Sequence, residues 1–493
     1  MRKVLLLTLV AFSCKKPLPP EQAYAVGQEQ SALERQQALA MEEGNEQALH
    51  SLRLASMAHA QGDTDLAEKA LRVAVAQMQD FTAEGEFRAM VGREAKKEWK
   101  GEPYEKLGAF LDLGLLLHQR GDTDNALAMY KSAVISDAGS TEERYRSDFV
   151  AGYVLQALAY ATEREQANAQ QAMGRGIDAL YARELTAMLS DALSGIPGEG
   201  HHDDVQNARV LLRTGLPAGL TVAARDPVEA VRAARSQATD IANVHRNLPR
   251  KERLPELQRW SDKDFEKALQ AMESLAAGWS EAAAEVPPEV LDRLAARAID
   301  LERVIEEPPS VVLVVERGKG PRKVQSGQYG ELLQIRTSRT PQGPLPIVVG
   351  GAPDQIDPLD SYSYQATTRG SRAVDSFLRG KAVYKDTSFA TAWILAEAGD
   401  IAHMTDNQNL ALALYLVSAG VFVTGALTTP EADIRQWGLL PDQLYLVPLW
   451  LEPGEHEVGL AGRSYTVVAP PSGQLVALVP ALSPGGPSRI EAR

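Results

Sequence analysis

At 493 residues and 44% apolar composition, the chain is long enough for two or three domains with substantial cores, which excludes a disordered polypeptide. Lys and Arg total 51 against 65 for Asp and Glu, and the net charge of -14 excludes a nucleic-acid surface, because neutralising phosphates takes a basic excess. With one cysteine there is no internal disulfide, so burial must stabilise the fold.

The first element is a leader. Met1, Arg2 and Lys3 form a positive start, Val4 to Val10 an apolar run, and Ala11-Phe12-Ser13 a short exit before Cys14. This is the layout of a secretory signal, and its core is far shorter than the ~20 apolar residues of a membrane-spanning helix. With Ser13 directly before Cys14, the segment resembles a bacterial lipoprotein signal, although Ala11 stands where that family usually has Leu. The resemblance implies that residues 1–13 are removed and that Cys14 becomes the acylated first residue. Two or more acyl chains anchor durably, each buried CH₂ contributing ~0.8 kcal/mol. By the same resemblance, Lys15, standing where an Asp would retain such a lipoprotein at the inner membrane, implies the periplasmic face of the outer membrane. Residues 14–30, with Pro17, Pro19 and Pro20, read as an extended tether.

Residues 31–307 have helix-forming composition, rich in Ala, Leu, Glu, Gln and Arg. Two stretches are self-similar: LASMAHAQGDTDLAEKALRVAV from Leu54 and LGLLLHQRGDTDNALAMYKSAV from Leu113. Each predicts helix, tight turn, helix. Gly62 and Gly121 end one helix, and the Asp or Thr oxygens that follow cap the next. Leu113, Gly114, Leu117, Gly121, Ala126, Tyr130 and Ala133 fall at the spacings of the tetratricopeptide repeat family, which the second copy resembles. Ala55, Gly62, Ala67, Leu71 and Ala74 do so in the first copy. Ala138 and Gln79 stand where that family has its closing Pro, and Thr82 to Pro103, with Trp99, reads as an insertion. A third helical pair is expected at Glu142 to Leu193. Its Phe149, Tyr153, Leu155, Leu158 and Tyr160 form one apolar stripe. Stacked pairs bury their apolar faces against neighbours and leave a groove suited to a peptide or partner helix.

Gly195 to Asp204 reads as a polar turn. His201, His202, Asp203 and Asp204 are consecutive and point in different directions, so they predict a solvated loop rather than a metal site. Helices are expected from Pro227 to His245, Leu254 to Ala284 and Pro288 to Ile305, with Trp260 and Trp279 packed inside.

Near Pro308 the texture changes to β-branched runs broken by Gly and Pro, which marks a second domain at 308–493. Strands are expected at 311–315, after the turn at 318–321, and at 332–337, 345–349, 363–368, 444–451, 456–460, 465–468 and 475–478. Helices are expected at 388–404 and 410–427. Leu410 to Leu427 borders on spanning length, but without a flanking Lys or Arg it reads as a buried helix. Arg369, Arg372, Arg379, Lys381 and Lys385, interleaved with Tyr362, Tyr364 and Tyr384, read as solvated strands and a turn. Trp437 reads as part of an exposed turn.

The expected fold is therefore multidomain: an N-terminal all-α, tetratricopeptide-like α-solenoid followed by an α+β, β-rich domain with an antiparallel sheet or sandwich. Together these stretches resemble a family of Gram-negative lipoproteins with a tetratricopeptide front and a β-rich end. Its members are thought to accompany small lipoproteins that activate penicillin-binding proteins, which implies a part in cell-envelope or peptidoglycan assembly. No nucleophile elbow, metal motif or phosphate loop occurs, and His403 has no identifiable partner, so a non-enzymatic role without cofactor or metal is expected. The expected partners are a protein of the envelope and a membrane reached through the lipid at Cys14. A structural part in a secretion or export assembly, or an enzyme with its site in the C-terminal domain, are the alternatives.

Overall fold

The computed structural model describes residues 17–78, 98–137, 148–216, 225–326, 332–337, 343–368, 432–480 and 489–491. The leader with Cys14, most of the insertion expected at 82–103, and the helices expected at 388–404 and 410–427 lie outside these residues.

Helix α1 (Pro20–Ala25) begins inside the stretch expected to be a tether, and α2 (Glu29–Met41) follows it. Pro20 sits in the first turn, where its missing N–H is no loss, and Ala23 and Tyr24 are buried. Three helical hairpins come next: α3 (Gln47–Ala60) with α4 (Thr64–Met78), α5 (Pro103–Gln119) with α6 (Thr123–Asp137), and α7 (Val150–Thr162) with α8 (Gln166–Gly195). Each packs on the one before.

Their turns share one geometry. Gly62 and Gly121 adopt φ of 82° and 80°. The Gly62 N–H donates to the His59 carbonyl and the Asp63 N–H to the Ala58 carbonyl, both at 2.9 Å. Gly121 and Asp122 repeat this pattern on His118 and Leu117. These bonds satisfy carbonyls that the helix end leaves open. The third hairpin makes the same turn with Arg164 at φ 62°, bonded to Ala161, and Glu165 bonded to Tyr160.

Helix α9 (His202–Thr214) starts within the expected polar loop, with Asp203 and Asp204 in its first turn, where carboxylates suit the helix N-terminus. After α10 (Pro227–Asn247), the helix expected from Leu254 begins only at Asp262. There Ser261 and Asp264 form a reciprocal capping box that opens α11 (Asp262–Ala284). Helix α12 (Pro288–Glu306) completes the helical part. Trp260 and Trp279 are buried within it.

The C-terminal region carries mixed sheets. Its elements are β1 (Val311–Arg317), β2 (Arg322–Ser326), β3 (Leu332–Arg336), β4 (Leu345–Val349), β5 (Ala352–Ile356), β6 (Asp360–Ser361), α13 (Tyr362–Thr368), β7 (Gln443–Leu449), β8 (Gly454–Leu460), β9 (Arg463–Ala469), β10 (Leu475–Val479) and β11 (Arg489–Ile490). One sheet has the order β10-β1-β7-β6 and another β11-β9-β8-β4-β5, while β2 and β3 form a separate hairpin. The expected antiparallel sheet or sandwich is corrected to mixed sheets, because β1 pairs parallel with β10 and β9 parallel with β11 while the other pairs are antiparallel. Strand β10, LVALV, is buried along its whole length, as the strands of doubly covered sheets are. The strand expected at 363–368 is instead α13, because Tyr362, Gln365 and Ala366 are buried together at helical spacing.

The first sheet is apolar on both faces. Val311, Leu313, Val315, Tyr445, Val447 and Leu475 face Ile347, Val458 and Val467 of the second sheet, forming a sandwich core. The alternate residues Val312, Val314, Leu444, Leu446, Val476 and Leu478 belong to the core of the helices. Helix α5 carries apolar residues all round because it lies between its neighbouring hairpins and β10. The layers are helices, sheet, sheet, and the change of texture near Pro308 separates materials within one continuous apolar core.

Candidate functional site

The leading helices of the hairpins, α3, α5 and α7, face the C-terminal region, and a strap of residues 432–442 closes over the first two. Trp437, expected in an exposed turn, is buried at 2% exposure and donates its indole N–H to Ser56 Oγ at 2.9 Å. Gly108 makes room for the strap: a Cβ there would lie 2.9 Å from Leu440 and 3.2 Å from Trp437. Arg53 donates to the Gln436 carbonyl and pairs with Glu21 of α1, both within 2.9 Å.

One buried carboxylate ties three segments together. Glu105, in the first turn of α5, accepts from the Glu102 N–H at 2.8 Å, the Trp437 N–H at 2.8 Å and Lys323 Nζ at 2.6 Å. Lys323 also donates to the Arg435 carbonyl at 2.9 Å, and its Nζ lies 5.8 Å from the Trp99 ring. Burying this ammonium requires such a shell, since an unpaired one would cost several kcal/mol.

A second tie joins α7 and α8 to β6 and α13. Asp360 accepts from Arg183 at 3.2 Å and from the Ala151 N–H at 3.0 Å, and Gln365 donates to Asp148 at 3.1 Å. Burial pushes Asp148 up to about 7; the Gln365 bond opposes that rise and the charge of Asp360 adds to it. Nearer α3, Asp112 and Glu316 line a cavity of ≈ 10 Å³ with His59 and Trp437, room for about one water. Burial, with the charge of Glu316, raises Asp112 well above its ordinary value.

The open site lies between the second and third hairpins, a cleft of ≈ 320 Å³. Helix α6 contributes Lys131, Val134 and Ile135; α7 contributes Tyr153, Gln156 and Tyr160; α8 contributes Asn168, Gln171, Ala172 and Arg175. On each helix these positions recur at three- and four-residue intervals, so each presents one face. Ile135 is 67% exposed at the rim, and Lys131 Nζ stands 5.2 Å from the centre of the Tyr160 ring. In chemical terms the cleft offers two cations, amide groups and apolar walls. Sequence reasoning read Tyr153 and Tyr160 as core stripe and did not single out Lys131, Gln156 or Arg175.

Among the positions singled out from sequence, Ala55, Ala67, Leu71, Ala74, Leu113, Ala126, Tyr130 and Ala133 are buried in the first two hairpins. Gly114 lies against Tyr130, whose ring a Cβ would approach to 2.6 Å, and Gly62 and Gly121 form the turns. These residues build the hairpins and do not line the cleft. Cys14, and the basic residues Arg369, Arg372, Arg379, Lys381 and Lys385, lie outside the described residues. Among the described residues no cluster of His, Cys, Asp and Glu could hold a metal, and no helix is long and apolar enough to cross a membrane. No family model, curated protein or solved structure matches the chain.

Proposed function

We propose that this chain is a lipid-anchored, tetratricopeptide-like scaffold that presents an inter-helical cleft to another protein of the cell envelope, at the periplasmic face of the outer membrane. The observation that carries the reading is the cleft between α6, α7 and α8, which the described residues leave open while the chain's own strap and sheet pack on the leading helices of the hairpins. The recurrent Gly62 and Gly121 turns and the close contact of Gly114 with Tyr130 support the tetratricopeptide likeness. The residue pattern around Cys14 supports the anchor. Because α1 begins at Pro20, six residues after Cys14 span at most ~20 Å, which holds the body close to the lipid surface. A role in envelope or peptidoglycan assembly is what the resemblance to the Gram-negative lipoprotein family implies.

The test is site-specific photocrosslinking in intact cells, with the probe at Ile135 on the cleft rim and, as a control, at exposed Ile299 on α12. A discrete envelope protein captured from Ile135 alone, and lost with Cys14→Ala, is the expected result. Identical capture from both positions, or a Cys14 without acyl label, defeats the proposal.

A further inference from the structure

Three polar heads around the cleft have no hydrogen-bond or ion-pair partner among the described residues. Gln156 is 8% exposed, and its side-chain amide makes no hydrogen bond among the described residues. Lys131 and Arg175, both exposed, have no ion-pair partner among the described residues either. By contrast Arg120, Arg183, Arg225, Arg235 and Arg246 of the neighbouring helices all pair with carboxylates. Among the described residues no Asp or Glu lines the cleft, although acidic residues outnumber basic ones 65 to 51 along the chain. The cleft is thus a locally positive concavity on an acidic protein, and its lip and walls are apolar and aromatic.

Resting on the scaffold reading, we infer that this cleft binds an extended acidic peptide segment bearing one bulky apolar side chain. A side-chain amide offers a donor and an acceptor side by side, which matches the C=O and N–H of a peptide backbone laid across it. Gln156 on the floor supplies that contact. Lys131 on α6 and Arg175 on α8 meet carboxylates on the segment, fixing its register and speeding encounter. Val134, Ile135 and Ala172 take the apolar side chain. A nucleic acid would satisfy the cations, but the net charge of -14 repels it and Gln156 would face no peptide unit.

The experiment is a random nonapeptide array probed with the full chain, as wild type, Lys131→Glu/Arg175→Glu and Gln156→Leu. The wild type is expected to select sequences with two or more Asp or Glu and one Phe, Leu or Ile. The double charge reversal is expected to weaken these at least tenfold, and Gln156→Leu several-fold, with unchanged melting of the charge variant because both cations are exposed. Raising salt weakens the selected peptides in the wild type. Selection without acidic bias, no selection at all, or a profile untouched by the charge reversal overturns the inference. Crosslinking from Ile135 separates the two levels. A partner still captured by the charge-reversed protein removes the acidic-peptide assignment and leaves the scaffold, whereas loss of capture from wild type removes the scaffold itself.

Discussion

Glu105→Gln tests whether the strap is held by a buried charge or only by packing. Glu105 and Lys323 are both nearly inaccessible and lie 2.6 Å apart. The substitution leaves the ammonium with the Arg435 carbonyl and with Glu102 at 3.5 Å. Breaking a buried pair from one side costs about 3–5 kcal/mol, because the remaining charge loses its nearest counter-charge. Lys323→Met should cost a similar amount, since it leaves the carboxylates of Glu102 and Glu105 facing each other. In the double variant the ammonium and the Glu105 charge are both gone, and the Glu102 carboxylate keeps the backbone N–H of residue 105 as its partner. Its cost reduces to the Glu102 and Trp437 N–H groups sharing one amide oxygen, about 1–3 kcal/mol for a donor left unsatisfied. The two effects should therefore be non-additive by at least about 3 kcal/mol, measured by urea unfolding of all four proteins with tryptophan fluorescence. Hydrogen exchange at the Trp437 amide supplies the local readout and should accelerate in Glu105→Gln. Single variants costing less than about 1 kcal/mol, as exposed pairs do, or a double variant equal to the sum, would refute the reasoning.

Asp148→Asn and His118→Gln should tilt the pH dependence of stability in opposite directions. Asp148, raised to about 7 from an ordinary value near 4, contributes stability that is present at pH 4 and lost as pH rises through 7, on the order of 4 kcal/mol, so Asp148→Asn gains on wild type from pH 4 to pH 8. His118, which burial lowers to about 4, contributes stability present above pH 6.5 and lost on acidification, so His118→Gln gains on wild type as pH falls. Parallel titration curves for variant and wild type would contradict either assignment. Arg164→Gly should raise stability by about 1 kcal/mol, since a side chain with φ 62° is strained; an unchanged or lower melting point would show that Arg164 makes compensating contacts. Residues 308–493 expressed alone should fail to give a soluble folded product, and calorimetry of the whole chain should show one transition; two resolved transitions would mean the halves fold independently.

Much of the local structure was legible. The Gly-Asp-Thr-Asp turns carry their own signature, because glycine alone enters the left-handed region freely, and the Pro308 change of texture carried the strands. Arg164 makes the same turn without that signature, so no local rule could mark it. Residues 363–368, SYQATT, offered no local signal of helix; contacts with a helix more than two hundred positions earlier decided them. Trp437 was misread for the same reason. Its neighbours Gly438 and Pro441 look like a surface turn, while the residues that bury it, Ser56, Glu105 and Gly108, lie far away in sequence. The cleft left a signal that went unused. Lys131, Val134 and Ile135 share a face of α6, as Tyr153, Gln156 and Tyr160 do on α7, but only the stacking of two hairpins brings those faces together.

The shared core also explains why a binding surface, if it lies on the hairpins, lies where it does. Peeling the first sheet from the helices would expose Val312, Val314, Leu444, Leu446, Val476 and Leu478. At about 1.5–3 kcal/mol for each buried side chain, that is roughly 9–18 kcal/mol, as large as the net stability of a typical domain. A partner could not displace the sheet and strap to reach α3 and α5 without supplying that free energy. The residues that line the cleft between α6, α7 and α8 are separate from those that tie α7 and α8 to the sheet, Ala151 and Arg183 on Asp360. A ligand there needs only to displace water, so the face that gives the protein its stability and the face proposed to recognise a partner are different sides of the same hairpins.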